Sequence, residues 1–142
     1  MAASDDIAKF LFEMGQLKRV KRSGWWIAGI KDPETVAEHS HRTGIVGYIL
    51  AKMENADAEK VALMGMFHEL HEARLNDLHK IGHRYIDFEA AEQKASLEQI
   101  QGLPDKIAEP LAILFREMME LKTKEAIIAK DADVLECAIQ AK

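Results

Sequence analysis

From Val61 to Phe67 the chain reads Val-Ala-Leu-Met-Gly-Met-Phe, a run without a polar side chain. Wound as a helix, such a run presents apolar groups on every side, and a helix of that kind must be buried on most of its faces. The helix expected over Ala58 to about Glu72 is therefore the central element, and the rest of the fold has to be built around it. Little in the chain argues against helix elsewhere. Only three prolines and eight glycines interrupt 142 residues, and Ala, Leu, Glu, Lys and Met are plentiful. No repeat, no low-complexity tract and no pair of alternating segments joined by a hairpin turn is present. An all-α bundle of about six helices follows. The length fits a single domain over residues 1–142, with no room for a second core of normal size.

The other helices are placed by period and punctuation. Ser4 stands as an N-cap before Ile7, Phe10, Leu11 and Met14, with Gly15 near the stop. Lys18 to Pro33 loses its periodicity and reads as a surface loop. Thr35 to Met53 is a second helix with Val36, Val46, Ile49 and Leu50 as its core stripe, and Gly44 and Gly47 permit a close neighbour. Asn55 to Asp57 is a turn, Asn76 to Tyr85 is irregular, and Glu89 to Gln101 is an amphipathic helix ending at Gly102. Pro104 suits a first helical turn, and Pro110 should kink or restart that helix before Leu111 to Leu121. Lys124 to Lys142 is the last helix.

Charge narrows the function classes. The net charge is −5, and the one basic cluster, Lys18, Arg19, Lys21 and Arg22, is short. A nucleic-acid polymer needs a broad basic face, so it is not an expected partner. The stretch Ile45 to Ala51 is too short to span a bilayer, and Met1 to Asp6 lacks the basic-then-apolar pattern of a signal peptide. A single cysteine, Cys137, excludes an internal disulfide and suits a reducing, cytoplasmic setting. Apolar residues of Leu111 to Leu121 could serve a homodimer seam or cover a further C-terminal helix.

The polar residues at the end of the apolar run require an explanation. His68, Glu69, His71 and Glu72 follow it directly, and a buried carboxylate has to be paired, protonated or bound to metal. On a continuing helix, His68, Glu69 and Glu72 share one face, where a divalent cation would satisfy them together. Imidazole with carboxylate suits Mn, Fe, Co, Ni or Zn, whereas Mg prefers an all-oxygen shell but is not excluded. The opposing reading is a helix that emerges into water at His68. The zinc-protease motif HExxH is absent, because Glu72 stands where its second His belongs. His39 begins the second helix on a mostly inward face with Thr43, Val46 and Leu50. In the last helix Asp131 and Asp133 are both candidates, and periodicity does not choose between them. Of the remaining histidines, His71 reads as a packing or hydrogen-bonding residue, His41 falls off the His39 face, and the His79–His83 pair lies in an aperiodic segment with Gly82.

Taken in order, Glu34-Thr-Val-Ala-Glu-His39, His68-Glu69-Leu-His-Glu72, Asp77-Leu and Lys130-Asp-Ala-Asp133 resemble the HD-domain phosphohydrolases, and most of all their 5′-deoxynucleotidase-like branch. Arg22 before Gly24-Trp25-Trp26 resembles the same branch. The resemblance implies a metal held by His39, His68, Glu69 and Asp133, and a catalytic Glu72 that handles the water proton. It also implies Arg22 on the phosphate, Trp25 or Trp26 shaping the pocket, and Asp77 beside the sugar. An ionised Asp77 only accepts hydrogen bonds, so it can accept from a 3′-hydroxyl and would crowd an added 2′-hydroxyl. The implied reaction is hydrolysis of a nucleoside 5′-monophosphate, with deoxynucleotides among the candidates, using one divalent metal.

Two departures from the family accompany this. Its name records an adjacent His-Asp pair, and here the pair is His68-Glu69, with the carboxylate one methylene further out. Misplacement by about 1 Å can cost roughly a hundredfold in rate, so rate is expected to suffer more than metal binding. The alternative reading is therefore a weakened domain that binds metal or nucleotide without turnover. Relatives also continue with further C-terminal helices beyond the position of Lys142.

Overall fold

The computed structural model describes residues 2–142; Met1 lies outside them. As expected, the chain is all-α. Among the described residues there are six helices of ten residues or more: α1 (Ala2–Met14), α3 (Val36–Met53), α4 (Ala58–Phe67), α6 (Phe88–Ile100), α7 (Asp105–Glu120) and α8 (Lys124–Gln140). Two one-turn helices, α2 (Gly24–Ile27) and α5 (Glu72–Leu75), and 3-10 turns at Gly15–Lys18 and Gly82–Arg84 complete the order. Among the described residues the only extended pairing of the backbone is an isolated antiparallel bridge between Lys21 and Thr35.

The chain forms two compact units, each discontinuous in sequence. One comprises the described residues up to Ala37 with Glu69–Pro110, the other Glu38–His68 with Leu111–Lys142. In the second unit the core is Ala51, Ala58, Val61, Met64, Leu114, Ala126, Ile128 and Ala129, with Leu50, Phe67 and Met118 against it. Asp57 caps α4 by accepting from the Lys60 amide at 3.1 Å, and Thr123 caps α8 by accepting from Ala126 at 3.2 Å. Helices α3 and α4 cross at glycines, as Gly44 and Gly47 suggested. A Cβ on Gly65 would lie 2.8 Å from the Gly44 Cα, and one on Gly47 would lie 2.9 Å from a Val61 methyl. Small residues here let two backbones touch.

The first unit is tied by polar contacts as much as by its apolar residues Leu17, Val20, Leu70, Phe88 and Ile100. Arg74 grips Glu13 with Nε at 2.5 Å and Nη2 at 3.0 Å, linking α5 to α1. The Gln99 amide on α6 donates to the Leu70 carbonyl at 2.8 Å and to Glu13 at 2.9 Å. Arg22 N–H donates to the Glu34 carbonyl at 3.0 Å, pinning the start of the 22–35 excursion.

Several expectations need correction. The central helix stops at Phe67 rather than near Glu72, and His68 to His71 form a turn before α5. Val61 and Met64 on it are fully buried, while Leu63 is 49% and Met66 50% exposed. Ile49 lies outside the α3 core stripe at 53% exposure. Ser4 sits inside the first turn of α1, not at its cap. Part of the expected loop after Lys18 is the helix α2, where Ser23, Trp25 and Trp26 close one turn. Helix α7 runs through Pro110 without a restart. At that position the ring forfeits one amide donor but not the helix.

Candidate metal centre

Within the second unit, three predicted ligands from three helical segments meet. His39, in the first turns of α3, is fully buried, and its Nε2 lies 3.0 Å from Asp133 Oδ1 on α8. His68, the residue that ends α4, brings its own Nε2 to 3.6 Å from the same oxygen. The two rings lie 5.4 Å apart between centroids, tilted by 57°. The three side chains offer ligand atoms within 4.8 Å of one another. Asp131 is exposed, so α8 turns Asp133 inward and resolves the choice that periodicity left open.

The protons decide what such a meeting can hold. His68 Nδ1 lies 2.7 Å from the Gly65 carbonyl, which can only accept, so Nδ1 carries the hydrogen and the neutral ring has its lone pair on Nε2. His39 Nδ1 contacts Glu136, a fully buried carboxylate, with the same consequence. Both lone pairs then face the Asp133 carboxylate, an arrangement that needs a proton or a cation between its members. Burial works to raise the Asp133 carboxyl pKa. When a proton sits on each Nε2, hydrogen bonds from His39 and His68, with the charges of a protonated His68 and of Lys130, outweigh it and hold the group well below the usual range. The Lys130 ammonium lies 2.9 Å from Oδ2. Two imidazole nitrogens and an anionic carboxylate form a donor set suited to a divalent transition metal.

Glu136 was not among the predicted residues. It lies three residues after Asp133, on the same face of α8, and this spacing was the signal available. Cys137, beside it, is half-buried.

The first unit gathers other predicted residues. Arg22 Nη1 pairs with Glu69 Oε1 at 2.9 Å, both side chains being largely buried. Asp77 accepts from the Ser23 amide through Oδ2 at 2.5 Å, while Ser23 Oγ donates to the Asp77 carbonyl at 3.1 Å. Glu72 opens α5 and is buried. Because α4 ends at Phe67, the shared helical face inferred for His68, Glu69 and Glu72 does not exist. Trp25 Nε1 donates to Glu34 at 3.3 Å, whereas Trp26 lines a cavity of about 340 Å³ with Arg19, Val20, Lys21, Asn76 and Asp77.

The remaining histidines serve local structure. His41 is exposed, and His71 is buried near Glu92 at 3.2 Å and edge-on to Phe88. His79 Nδ1 accepts from the Gly82 amide at 3.1 Å, and His83 Nε2 donates to the Leu78 carbonyl at 3.0 Å.

Comparison with known proteins places the chain in a family. The HD-domain profile matches residues 14–142. The chain belongs to the HD-domain family. It is 31% identical over 137 residues to the 5′-deoxynucleotidase HDDC2 of Dictyostelium discoideum, covering 89% of this chain and 71% of that protein. It is 26% identical to the human 5′-deoxynucleotidase HDDC2 over 136 residues, 95% of this chain and 66% of the relative. A conserved hypothetical protein of Pyrococcus furiosus superposes with a TM-score of 0.80 at 33% identity, covering 94% of this chain and 79% of that one. A protein of Magnetospirillum magnetotacticum, described as a predicted metal-dependent phosphohydrolase, superposes with a TM-score of 0.80 at 25% identity, over 98% and 70% of the two chains. This HD-domain chain is thus an enzyme of the metal-dependent phosphohydrolase type. No helix among its described residues is long and apolar enough to cross a membrane.

Proposed function

We propose that this HD-domain enzyme hydrolyses a nucleoside 5′-monophosphate, deoxynucleotides included, to nucleoside and phosphate. The observation that carries the metal half of the reading is the meeting of His39 and His68 Nε2 at Asp133 Oδ1, 3.0 and 3.6 Å away. Glu69, next in the chain to His68, is proposed as the fourth ligand. The substrate half rests on the relatives named as 5′-deoxynucleotidases and on the cavity where an indole, two basic side chains and Asp77 converge. A base can stack on Trp26 or Trp25, and Asp77 can accept from a sugar hydroxyl. Arg22 is proposed to hold the phosphate and Glu72 to accept the water proton. A bound divalent cation supplies Lewis acidity, lowering a water's pKa and offsetting phosphoryl charge. Residues 1–142 are read as one HD domain, since the family match spans both units. The single cysteine suits a cytoplasmic setting.

A second reading has its own observation. Arg22, the proposed phosphate grip, spends Nη1 on Glu69 at 2.9 Å. The longer Glu in place of the family's Asp thus competes for the guanidinium, which favours a domain that binds metal or nucleotide with little turnover. Metal-stripped protein, reloaded in turn with Mn, Co, Ni, Mg or Zn and offered nucleoside phosphates, separates the two. Metal-dependent phosphate release from 5′-monophosphates supports hydrolysis. Binding without release supports the second reading, and Glu69→Asp should then restore turnover. Release only from other esters would defeat the substrate assignment.

A further inference from the structure

Glu136 has no solvent exposure at all. An ionised carboxylate in that position is costly unless both oxygens are engaged, and both are. Oε2 meets His39 Nδ1, while Oε1 accepts from Arg42 Nε at 2.8 Å and lies 2.6 Å from Arg42 Nη2. Arg42 in turn donates to Gln140, one turn further along α8. A carboxylate held this way can only accept, so it dictates which nitrogen of His39 carries hydrogen. The other nitrogen, Nε2, is the one aimed at Asp133. His68 achieves the same orientation with the Gly65 carbonyl; for His39 the chain uses a side chain of α8 clamped by an arginine of α3.

We propose that Glu136 is a positioning residue: it fixes the ring orientation and tautomer of His39 so that Nε2 is presented as a metal ligand, and Arg42 holds the carboxylate in register. The inference rests on the metal-centre reading of His39, His68 and Asp133. It also explains why a second grouping of donors, His39 with Glu136 and Cys137, is not an independent ion site, since both Glu136 oxygens are already committed.

The probe is Zn²⁺ alone, titrated calorimetrically into the full chain, with long-range ¹H–¹⁵N spectra of the Zn²⁺-loaded protein to read the His39 ring. Wild type should show a slowly exchanging proton on His39 Nδ1 and metal on Nε2. In Glu136→Gln the carbonyl is claimed by Arg42, which turns the amide –NH₂ toward His39. The Nδ1 proton signal should be lost, and the Zn²⁺ dissociation constant should rise about ten- to hundredfold. Helical circular dichroism should stay unchanged. Glu136→Asp keeps an acceptor-only group and should regain the ring proton with part of the affinity. Affinity within twofold of wild type in folded Glu136→Gln would overturn the proposal, as would lost affinity with the ring proton retained. If that variant does not fold, the wild-type spectrum decides alone: metal on Nδ1 with the proton on Nε2 rules the proposal out. A wild type that binds no Zn²⁺ removes the metal-centre reading itself, and this inference with it.

Discussion

Single residues were legible where two demands coincided. His39 was found because it lies on an inward face and matches a family motif, and it is fully buried. Glu136 was not singled out because an acidic residue in a helix that also carries Glu125, Asp131 and Asp133 looks like part of a solvated face. Its spacing of three from Asp133 was the one hint, and the fold turns that hint into a contact with His39. Glu13 shows the same blindness at lower stakes. Its carboxyl pKa is lowered, first by the hydrogen bond from Arg74, with burial opposing and Gln99 and the Arg74 charge adding. A depressed folded pKa contributes stability that is present above the ordinary value, near 4.5, and is lost as pH falls through the folded value. Glu13→Gln should therefore cost about 0.5 kcal/mol at pH 7, a figure kept small because the pair is partly exposed. It should also flatten the acid limb of a plot of urea midpoint against pH. An unchanged acid limb would remove Glu13 from the list of pH-sensitive contacts.

At the level of elements, composition and punctuation placed the six long helices but not all their ends. The central helix stops at Phe67 because the next residues, His68 to His71, serve side-chain contacts in a turn rather than a helical face. Pro110 was expected to kink or restart α7; the helix does not restart there, since losing one amide donor near an exposed position is tolerated. The glycine prediction succeeded for a physical reason: Gly44 and Gly47 have no use in an isolated helix, so a close neighbour was the remaining explanation. Gly65→Ala tests it. The new methyl would meet backbone atoms of Gly44 at 2.8 Å and of Thr43 at 2.9 Å, and backbone cannot swing aside. We expect about 1–3 kcal/mol of destabilisation in urea unfolding, and a cost below 0.3 kcal/mol would contradict so close a crossing. Asp57→Ala, which removes the α4 cap, should cost about 1 kcal/mol in the same assay.

For the whole molecule, the all-α class could be read from the scarcity of breakers, and the family from four motifs in order. The division into two units could not, because each is assembled from two separated segments and no linker composition marks the joints at 37, 68 and 110. One half-buried side chain turns this architecture into something measurable. Cys137 is the sole sulfhydryl in the chain and sits on α8, four residues beyond Asp133. An alkylating reagent therefore has a single target, and its rate reports how often that stretch of α8 opens to solvent. If Mn²⁺ engages Asp133, ligation should suppress such openings by mass action and slow alkylation severalfold. Equal rates with and without Mn²⁺ would mean that the ion does not grip α8. Nature has in effect supplied this protein with one built-in label, placed where occupancy of the neighbouring centre can be timed without following any turnover.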